Sequence, residues 1–369
     1  MVRKTLFWIH LAAGLLAALP LAAMALTGIL LSFEHQIVEA MRTERSVNAI
    51  GVRLPLDSVV TRAAGTQASR VTAVSWTIRP GSPVELRLGR EDVLRADPVT
   101  GDLLGRTTVL EKGFATVEIL HRWLGSKEIG GKITGVSVLL CLVLSTTGLF
   151  LWWPRSLRAL RGEVWPRRGL RGQARDWQWH NAVGALVLPG LVVLTLTGTV
   201  MSWKWAEGLL YAAAGSKSPR PQMPSKSEGA AKPVKDRPGP DASSISEDRN
   251  WQEWSDTLLA HAPAGWTSVR VAAPTKPGSG ASGVFRTSFE PVPSGGIATL
   301  ALDGSFQSWA PAGKDPCARL RSLVKPLHTG ELFGVAGQIF FALVSLGTLV
   351  LVWTGVVLSG RRFARSRSS

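Results

Sequence analysis

Cysteine is almost missing from this chain. Cys141 in an apolar run and Cys317 in a polar one are the whole supply in 369 residues, so no disulfide framework is implied. No Cys-x-x-Cys-His occurs, which excludes covalent c-type haem attachment, and cysteine-rich zinc and iron–sulfur sites lack their ligands. Acidic residues are also short, 26 against 42 Lys and Arg, for a net charge of +16. None lies in the middle of a long apolar run, which leaves an ion-coupled transporter without its coupling group. Tyrosine occurs once, beside 15 Trp.

What the chain has is long apolar runs. Leu6 to Phe33 is apolar almost throughout, and further runs follow at 133–153, 182–203 and 334–358. Each is near the about 20 residues that a bilayer requires, so four membrane spans are expected. A cleaved signal peptide is the competing reading of the first run. Its length and its copy at 180–203 argue for a retained span. Between the spans the chain is too polar for a bundle alone, although its mean hydropathy is positive.

Orientation follows from Lys and Arg. The loop from Pro154 to Trp179 carries Arg155, Arg158, Arg161, Arg167, Arg168, Arg171 and Arg175, the tail Arg361, Arg362, Arg365 and Arg367, and the N-terminus Arg3 and Lys4. These segments belong in the cytoplasm, and the nearly balanced stretches 34–131 and 204–331 outside. Trp8, Trp123, Trp152, Trp153, Trp177, Trp179, Trp203 and Trp205 cluster at span ends as interfacial anchors. Topology accounts for most of the basic excess, and no nucleic-acid partner is expected.

The two outer stretches read as small α+β modules. In the first, Leu56 to Ala68 is an amphipathic helix. Val71 to Leu104 alternates as strands, with turns at Pro80-Gly81 and Asp97-Pro98-Val99-Thr100-Gly101. In the second, Trp251 to Ala260 is a helix, with strands at 268–272, 283–289 and 297–301 and a turn at Asp303-Gly304. Residues 215–250, rich in Pro, Ser, Lys and Gly, form a flexible linker. Gly278 to Gly283 matches G-x-G-x-x-G by letter, but it follows Pro277 rather than a strand and opens no helix, so dinucleotide binding is not expected.

The chain repeats itself. His10, Gly14, Pro20 and Thr27-Gly28 recur as His180, Gly184, Pro189 and Thr197-Gly198, with 18 residues from His to the last Gly in both copies. Eighteen residues are five helical turns, about 27 Å along one face. His121 and His328 each precede a Thr-Gly (Thr147-Gly148, Thr354-Gly355) by 27 residues, with Gly130 or Gly337 nine residues after the His. The chain is therefore two copies of span, outer module, span. Both copies start on one side, so they are parallel repeats about an axis along the membrane normal.

On this topology His10 and His180 lie together at the cytoplasmic side, and His121 and His328 near the outer side. Two pairs of symmetry-related histidines at two depths suit two non-covalent haem b groups with bis-His ligation of the iron. Gly14 and Gly184, one turn from a ligand, remove bulk where a flat porphyrin lies, and Gly28 and Gly198 give the second haem the same room. The competing reading makes the histidines interfacial residues and the glycines small-residue helix contacts. His35, beside Glu34 at the outer end of the first span, is a further candidate ligand without a repeat partner. His261 reads as a surface residue.

At these residues the chain resembles a known family. His121-Arg122, Leu327-His328-Thr329-Gly330, Trp152-Trp153-Pro154-Arg155 and the Asp97 to Gly101 turn, in that order along nearly the whole chain, are similar to the PepSY-associated transmembrane proteins of bacterial inner membranes. The resemblance implies PepSY-like modules facing the periplasm. Its best-understood branch consists of di-haem reductases that release iron from ferric siderophores, and His10, His180, His121 and His328 match that branch's haem-bearing positions. Other members carry a flavodoxin-like reductase domain, absent from these residues, which leaves the electron donor open between a quinol and a cytoplasmic flavoprotein. The second module matches the PepSY pattern less clearly than the first.

The expected architecture is an all-α four-helix transmembrane bundle of two parallel repeats with two small α+β PepSY-like periplasmic modules. Its divisions are span 1 at 1–36, module 1 at 37–119, span 2 with its lead-in at 120–155, a basic cytoplasmic loop at 156–178 and span 3 at 179–206. A linker at 207–250, module 2 at 251–326, span 4 at 327–360 and a basic cytoplasmic tail at 361–369 complete it. The expected function is a haem-dependent ferric (siderophore) reductase in contact with membrane lipid. The alternative is a non-enzymatic PepSY membrane protein that regulates peptidases or scaffolds envelope partners.

Overall fold

The four apolar runs form helices, and the third and fourth of these extend well beyond their apolar cores. The four are α1 (Val2–Leu31), α5 (Ile129–Trp152), α6 (Gly172–Ser202) and α10 (Gly334–Arg367), and all four helices are long and apolar enough to cross a membrane. The computed structural model describes residues 1–41, 47, 51–89, 92–153, 169–215, 249–274, 279–287, 295–312 and 316–367. Most of the expected linker and of the basic loop lies outside the described residues, as do Pro154 and Arg155 of the Trp-Trp-Pro-Arg run. The chain divides into two units, Met1–Ala40 with Gly113–Leu210 and Leu323–Ser369, and Met41–Lys112 with Tyr211–Ser322.

In the helical unit, α1 packs on α5 and α10, and α6 packs on the same two helices. The four spans thus form a ring in which α1 and α6 occupy one diagonal and α5 and α10 the other. Burial is inverted relative to a water-soluble bundle. Large apolar side chains such as Leu19, 82% exposed, and Leu16, 73% exposed, point outward, while Ala17, Ala182, Ser145, Thr195 and Thr348 are buried. Lipid tails are as apolar as leucine, so close contact of small residues, rather than exclusion of water, holds such helices together. The buried hydroxyls of Ser145, Thr195 and Thr348 donate to carbonyls four residues back in their own helices, which leaves none of these three hydroxyls unmet.

The even spans are each preceded by a separate short helix, where one helix with a lead-in is expected. Helix α4 (Val109–Trp123) ends at Leu124 and Gly125, both at positive φ, and α9 (Pro316–Thr329) ends at Gly330, φ 82°. The turns fold back so tightly that a Cβ on Gly130 would stand 1.6 Å from the Trp123 carbonyl oxygen, and one on Gly337 2.3 Å from that of Gly330. This is the role of the glycine nine residues after each of these histidines. It seats the backbone of the turn that carries the histidine.

The second unit corrects the expectation of two separate modules. Strands β1 (Val71–Thr77), β2 (Val84–Leu88), β3 (Asp92–Ala96) and β4 (Leu103–Arg106) come from the first stretch. Strands β5 (Ser268–Ala272), β6 (Ser282–Arg286), β7 (Gly295–Leu300) and β8 (Phe306–Ala312) come from the second. They form one eight-stranded sheet in the order β4-β3-β2-β1-β5-β6-β7-β8. β1 pairs antiparallel with β5 from Ala73–Ala272 to Thr77–Ser268. Each module alone would present its first strand as an open edge, and joining the two edges satisfies both ladders.

A shared core reinforces the join. Helices α3 (Leu56–Ala64) and α8 (Trp251–Ala260) cover one face, and Val59, Val60, Trp251 and Leu258 share a cluster with Val74, Leu86, Leu94, Val271, Phe285 and Leu300. The two helices also cap each other. Asp57 accepts from the backbone N–H groups of Trp251 and Gln252, at 2.8 and 3.1 Å, and the Gln252 side chain accepts from the Leu56 N–H at 2.7 Å. The glycine-rich stretch leads into β6, not into a helix. A Cβ on Gly280 would stand 2.1 Å from the Leu300 carbonyl oxygen, so this glycine serves backbone packing.

Two predictions follow from this unit. Leu258 is fully buried, so Leu258→Ala costs about 2–5 kcal/mol. Hydrogen exchange will then quicken in β1 to β3 of the first stretch as well as in β5 to β7. Loosening confined to the second stretch would restore two independent modules. The other concerns acid. Burial raises the Glu111 carboxyl, but hydrogen bonds from the Thr108 backbone and from Arg95 more than reverse it and hold the group at about 2 against an ordinary 4.5. A depressed folded pKa stabilises above the unfolded value and is lost as pH falls through the folded one. The sheet unit's melting temperature should therefore drop between about pH 4.5 and 2, and Glu111→Gln should flatten that drop in acid melts followed by tryptophan fluorescence.

Candidate functional site: two opposed histidine pairs

The helical register decides what meets inside the ring. His10 on α1 and His180 on α6 lie near the same end of the bundle, on the diagonal helices, and their ring centres are 6.3 Å apart with planes at 85°. His121 on α4 and His328 on α9 meet at the other end, with ring centres 6.4 Å apart and planes at 65°. The structure thus brings together both pairs that the repeat spacing marks. Each pair takes one histidine from each repeat.

One nitrogen of every ring is already engaged. Nδ1 lies 2.9 Å from Thr147 Oγ1 for His10, 2.9 Å from Thr27 Oγ1 for His121, 2.9 Å from Thr354 Oγ1 for His180 and 2.8 Å from Thr197 Oγ1 for His328. These are the threonines of the four Thr-Gly pairs, whose recurrence is visible in sequence but whose role is not. The following glycine makes the approach possible. A Cβ on Gly148, Gly28, Gly355 or Gly198 would stand 3.3, 3.4, 3.4 or 3.6 Å from Cε1 of the same histidine. Gly28 and Gly198 therefore lie against imidazole edges. Gly14 and Gly184 each face a leucine methyl of the next span in their own repeat, Leu144 and Leu351, both at 3.6 Å.

The contacts respect the repeat. His10 with Thr147 and His121 with Thr27 lie within the first copy, and His180 with Thr354 and His328 with Thr197 within the second. Hydrogen bonds therefore hold each copy's two histidines to its own spans, while the ring-to-ring approaches run between copies. Near His180 the buried Asp176 accepts from Arg175 at 2.8 Å and from Arg361 of α10 at 2.9 Å, which ties α6 to α10 one turn from the histidine. Sequence reading passed over Asp176 because an acid beside arginines in a basic loop looks solvated.

The remaining histidines stand apart. His35 is exposed on α2 (Glu34–Ala40), outside both pairs. There Glu34 is pushed above the ordinary carboxylate range, first by burial and then by Glu118. His261 belongs to the sheet unit, where it stacks on Phe306 at 3.9 Å and its Nδ1–H donates to the Thr257 carbonyl at 2.9 Å.

Chemically, each pair offers two neighbouring imidazoles with one ring nitrogen apiece not held by threonine. Two metal–nitrogen bonds of about 2 Å plus about 1.2 Å from each nitrogen to its ring centre sum to about 6.4 Å across a single metal ion. Both observed separations match that span. Among the described residues no third His, Cys, Asp or Glu completes a metal site of protein ligands at either pair. No curated protein matches the chain. The family model described as the PepSY-associated TM region matches residues 7–362. That match covers nearly every element that carries the pairs, and the chain belongs to that family.

Proposed function

We propose that this protein is a di-haem b oxidoreductase of the bacterial inner membrane that passes electrons outward to a ferric siderophore or other ferric chelate. The observation that carries the reading is the pair of imidazoles at each end of the bundle, close enough together that one iron could be held by both. Such a bis-imidazole site needs two neutral rings, each with one nitrogen held and one lone pair available, and the four threonine contacts supply the first half of that condition. When bound, haem supplies one-electron chemistry at a potential set by its axial ligands and surroundings.

The roles of the chain's own residues follow from their places. His10 and His180 hold the inner group, and the arginine-rich loop and tail put them on the cytoplasmic side, within reach of a quinol or a cytoplasmic flavoprotein. His121 and His328 hold the outer group. Gly14 and Gly184, each against a leucine methyl of the next span, keep side-chain bulk off the helix one turn from the inner ligands. Gly130 and Gly337 seat the turns that aim the outer ligands. The sheet unit, periplasmic on this topology, offers the surface on which a chelate is held.

Purified protein should be coloured, with a reduced-minus-oxidised spectrum of low-spin b haem and about two haems per chain. His180→Ala should remove the inner haem, while the outer one remains reducible by dithionite and reoxidisable by a ferric siderophore. His328→Ala should leave an inner haem that reduces normally and passes nothing to the chelate. Two low-spin haems and full reoxidation in both variants would sink the assignment. A colourless wild type, made with haem supply ensured, would favour the non-enzymatic alternative. Gly337→Ala, which sets a Cβ against backbone, should lower outer-haem occupancy and spare the inner.

Topology is tested separately. A reporter fused between residues 216 and 248 should read periplasm, and one after Ser369 cytoplasm. The reverse result would exchange the donor and acceptor roles of the two pairs.

A further inference from the structure

Each of the four threonine hydroxyls lies within hydrogen-bond distance of two carbonyls of its own helix and of one imidazole, and it has one proton to give. Oγ1 of Thr27 lies 2.6 Å from the Ala23 carbonyl oxygen, that of Thr147 2.7 Å from Val143, that of Thr197 2.6 Å from Val193 and that of Thr354 2.7 Å from Val350. A carbonyl oxygen only accepts, so the hydroxyl proton is spent inside the threonine's own helix. What the hydroxyl presents to the histidine is a lone pair, and the ring nitrogen facing it must carry the proton. Nδ1 is therefore the protonated nitrogen in all four rings, and Nε2 keeps its lone pair.

We infer that Thr27, Thr147, Thr197 and Thr354 are positioning residues that lock the four histidines in the Nδ1–H tautomer and hold Nε2 ready as the ligating atom. The inference rests on the haem reading for its consequence, although the lock itself belongs to the chain alone. Threonine suits the task better than a freer side chain, because β-branching and the bond to its own helix together fix χ1. The glycine that follows lets the imidazole edge come close enough to bond. An acceptor on Nδ1–H makes the ring a stronger electron donor to iron and so favours the ferric state, which lowers the reduction potential. The same lock recurs four times and within each repeat, so it sets both sites without any contact between repeats.

The test has one readout that needs no haem. In haem-free protein labelled with [15N]histidine and reconstituted in phospholipid bilayers, NMR should find His10, His121, His180 and His328 protonated at Nδ1 and bare at Nε2. Thr147→Val and Thr354→Val keep the shape of the side chain and remove the hydroxyl acceptor, leaving beside each ring only the backbone carbonyl of Leu144 or Leu351. In these variants His10 and His180 should acquire an Nε2-protonated population, while His121 and His328 keep theirs unchanged. In haem-loaded protein the same variants should bind the inner haem about 10–100-fold more weakly, and the inner midpoint potential should rise. Thr147→Ser and Thr354→Ser should restore tautomer, affinity and potential. Valine variants with unchanged tautomer, affinity and potential would overturn the lock while leaving the haem assignment intact. A wild type that takes up no haem would overturn the functional reading, and the labelled apo-protein would still judge the lock.

Discussion

A neutral imidazole buried in the bundle carries one N–H and one lone pair, and each calls for a partner. The rest of the bundle is arranged around that constraint. In a medium where an unpaired polar group costs several kcal/mol, threonine answers one nitrogen of each of the four rings, and a second histidine stands beside each. Each odd span does this at both ends. His10 and Thr27 sit 17 residues apart on α1, about 25 Å at helical rise, so one rigid element carries a histidine at one depth and the hydrogen-bond partner of another histidine at the other. The five-turn spacing, 18 residues, runs from His10 to Gly28 and puts those two on one face.

The four spans, the duplicated histidines and their pairing were all legible in sequence, because membrane length and a matched spacing are local signals that survive without a structure. The threonines were legible only as markers. A Thr-Gly in an apolar run has the same appearance whether it packs a helix or receives an imidazole, and only the third dimension shows that Thr27 meets His121, 94 residues away. Gly130 and Gly337 likewise had a period but no role. Their meaning lies in a carbonyl folded back from a turn whose Leu124 adopts positive φ, a conformation that leucine seldom takes and that no pattern announces.

The sheet was legible strand by strand but not as a whole. Helix α8 falls where its periodicity put it, and β5 likewise. The pairing of β1 with β5 joins segments nearly 200 residues apart in sequence through backbone groups, which every residue possesses, and so leaves no signature in the side chains. Strand β8 escaped notice for a different reason. It holds Pro311, which removes a ladder donor and is tolerated because β8 pairs on one side alone, at the sheet's edge. The reciprocal capping by Asp57 and Gln252 fastens the same junction at the helical layer, so the two segments are joined twice.

The division of contacts between and within the repeats bears on how such a chain could arise. Hydrogen bonds to the histidines stay inside each copy, and every ring-to-ring approach crosses from one copy to the other. A half-length chain would hold both of its imidazoles in place yet complete neither pair. Two such chains related by a two-fold axis along the membrane normal would complete both at once, and their first strands would join across the same kind of axis, as β1 and β5 do. The present protein has the symmetry of a homodimer whose subunits have been fused. Fusion frees the halves to diverge, and they have done so where the symmetry no longer binds them, at His35 against Trp205 and at Pro20 against Gly190.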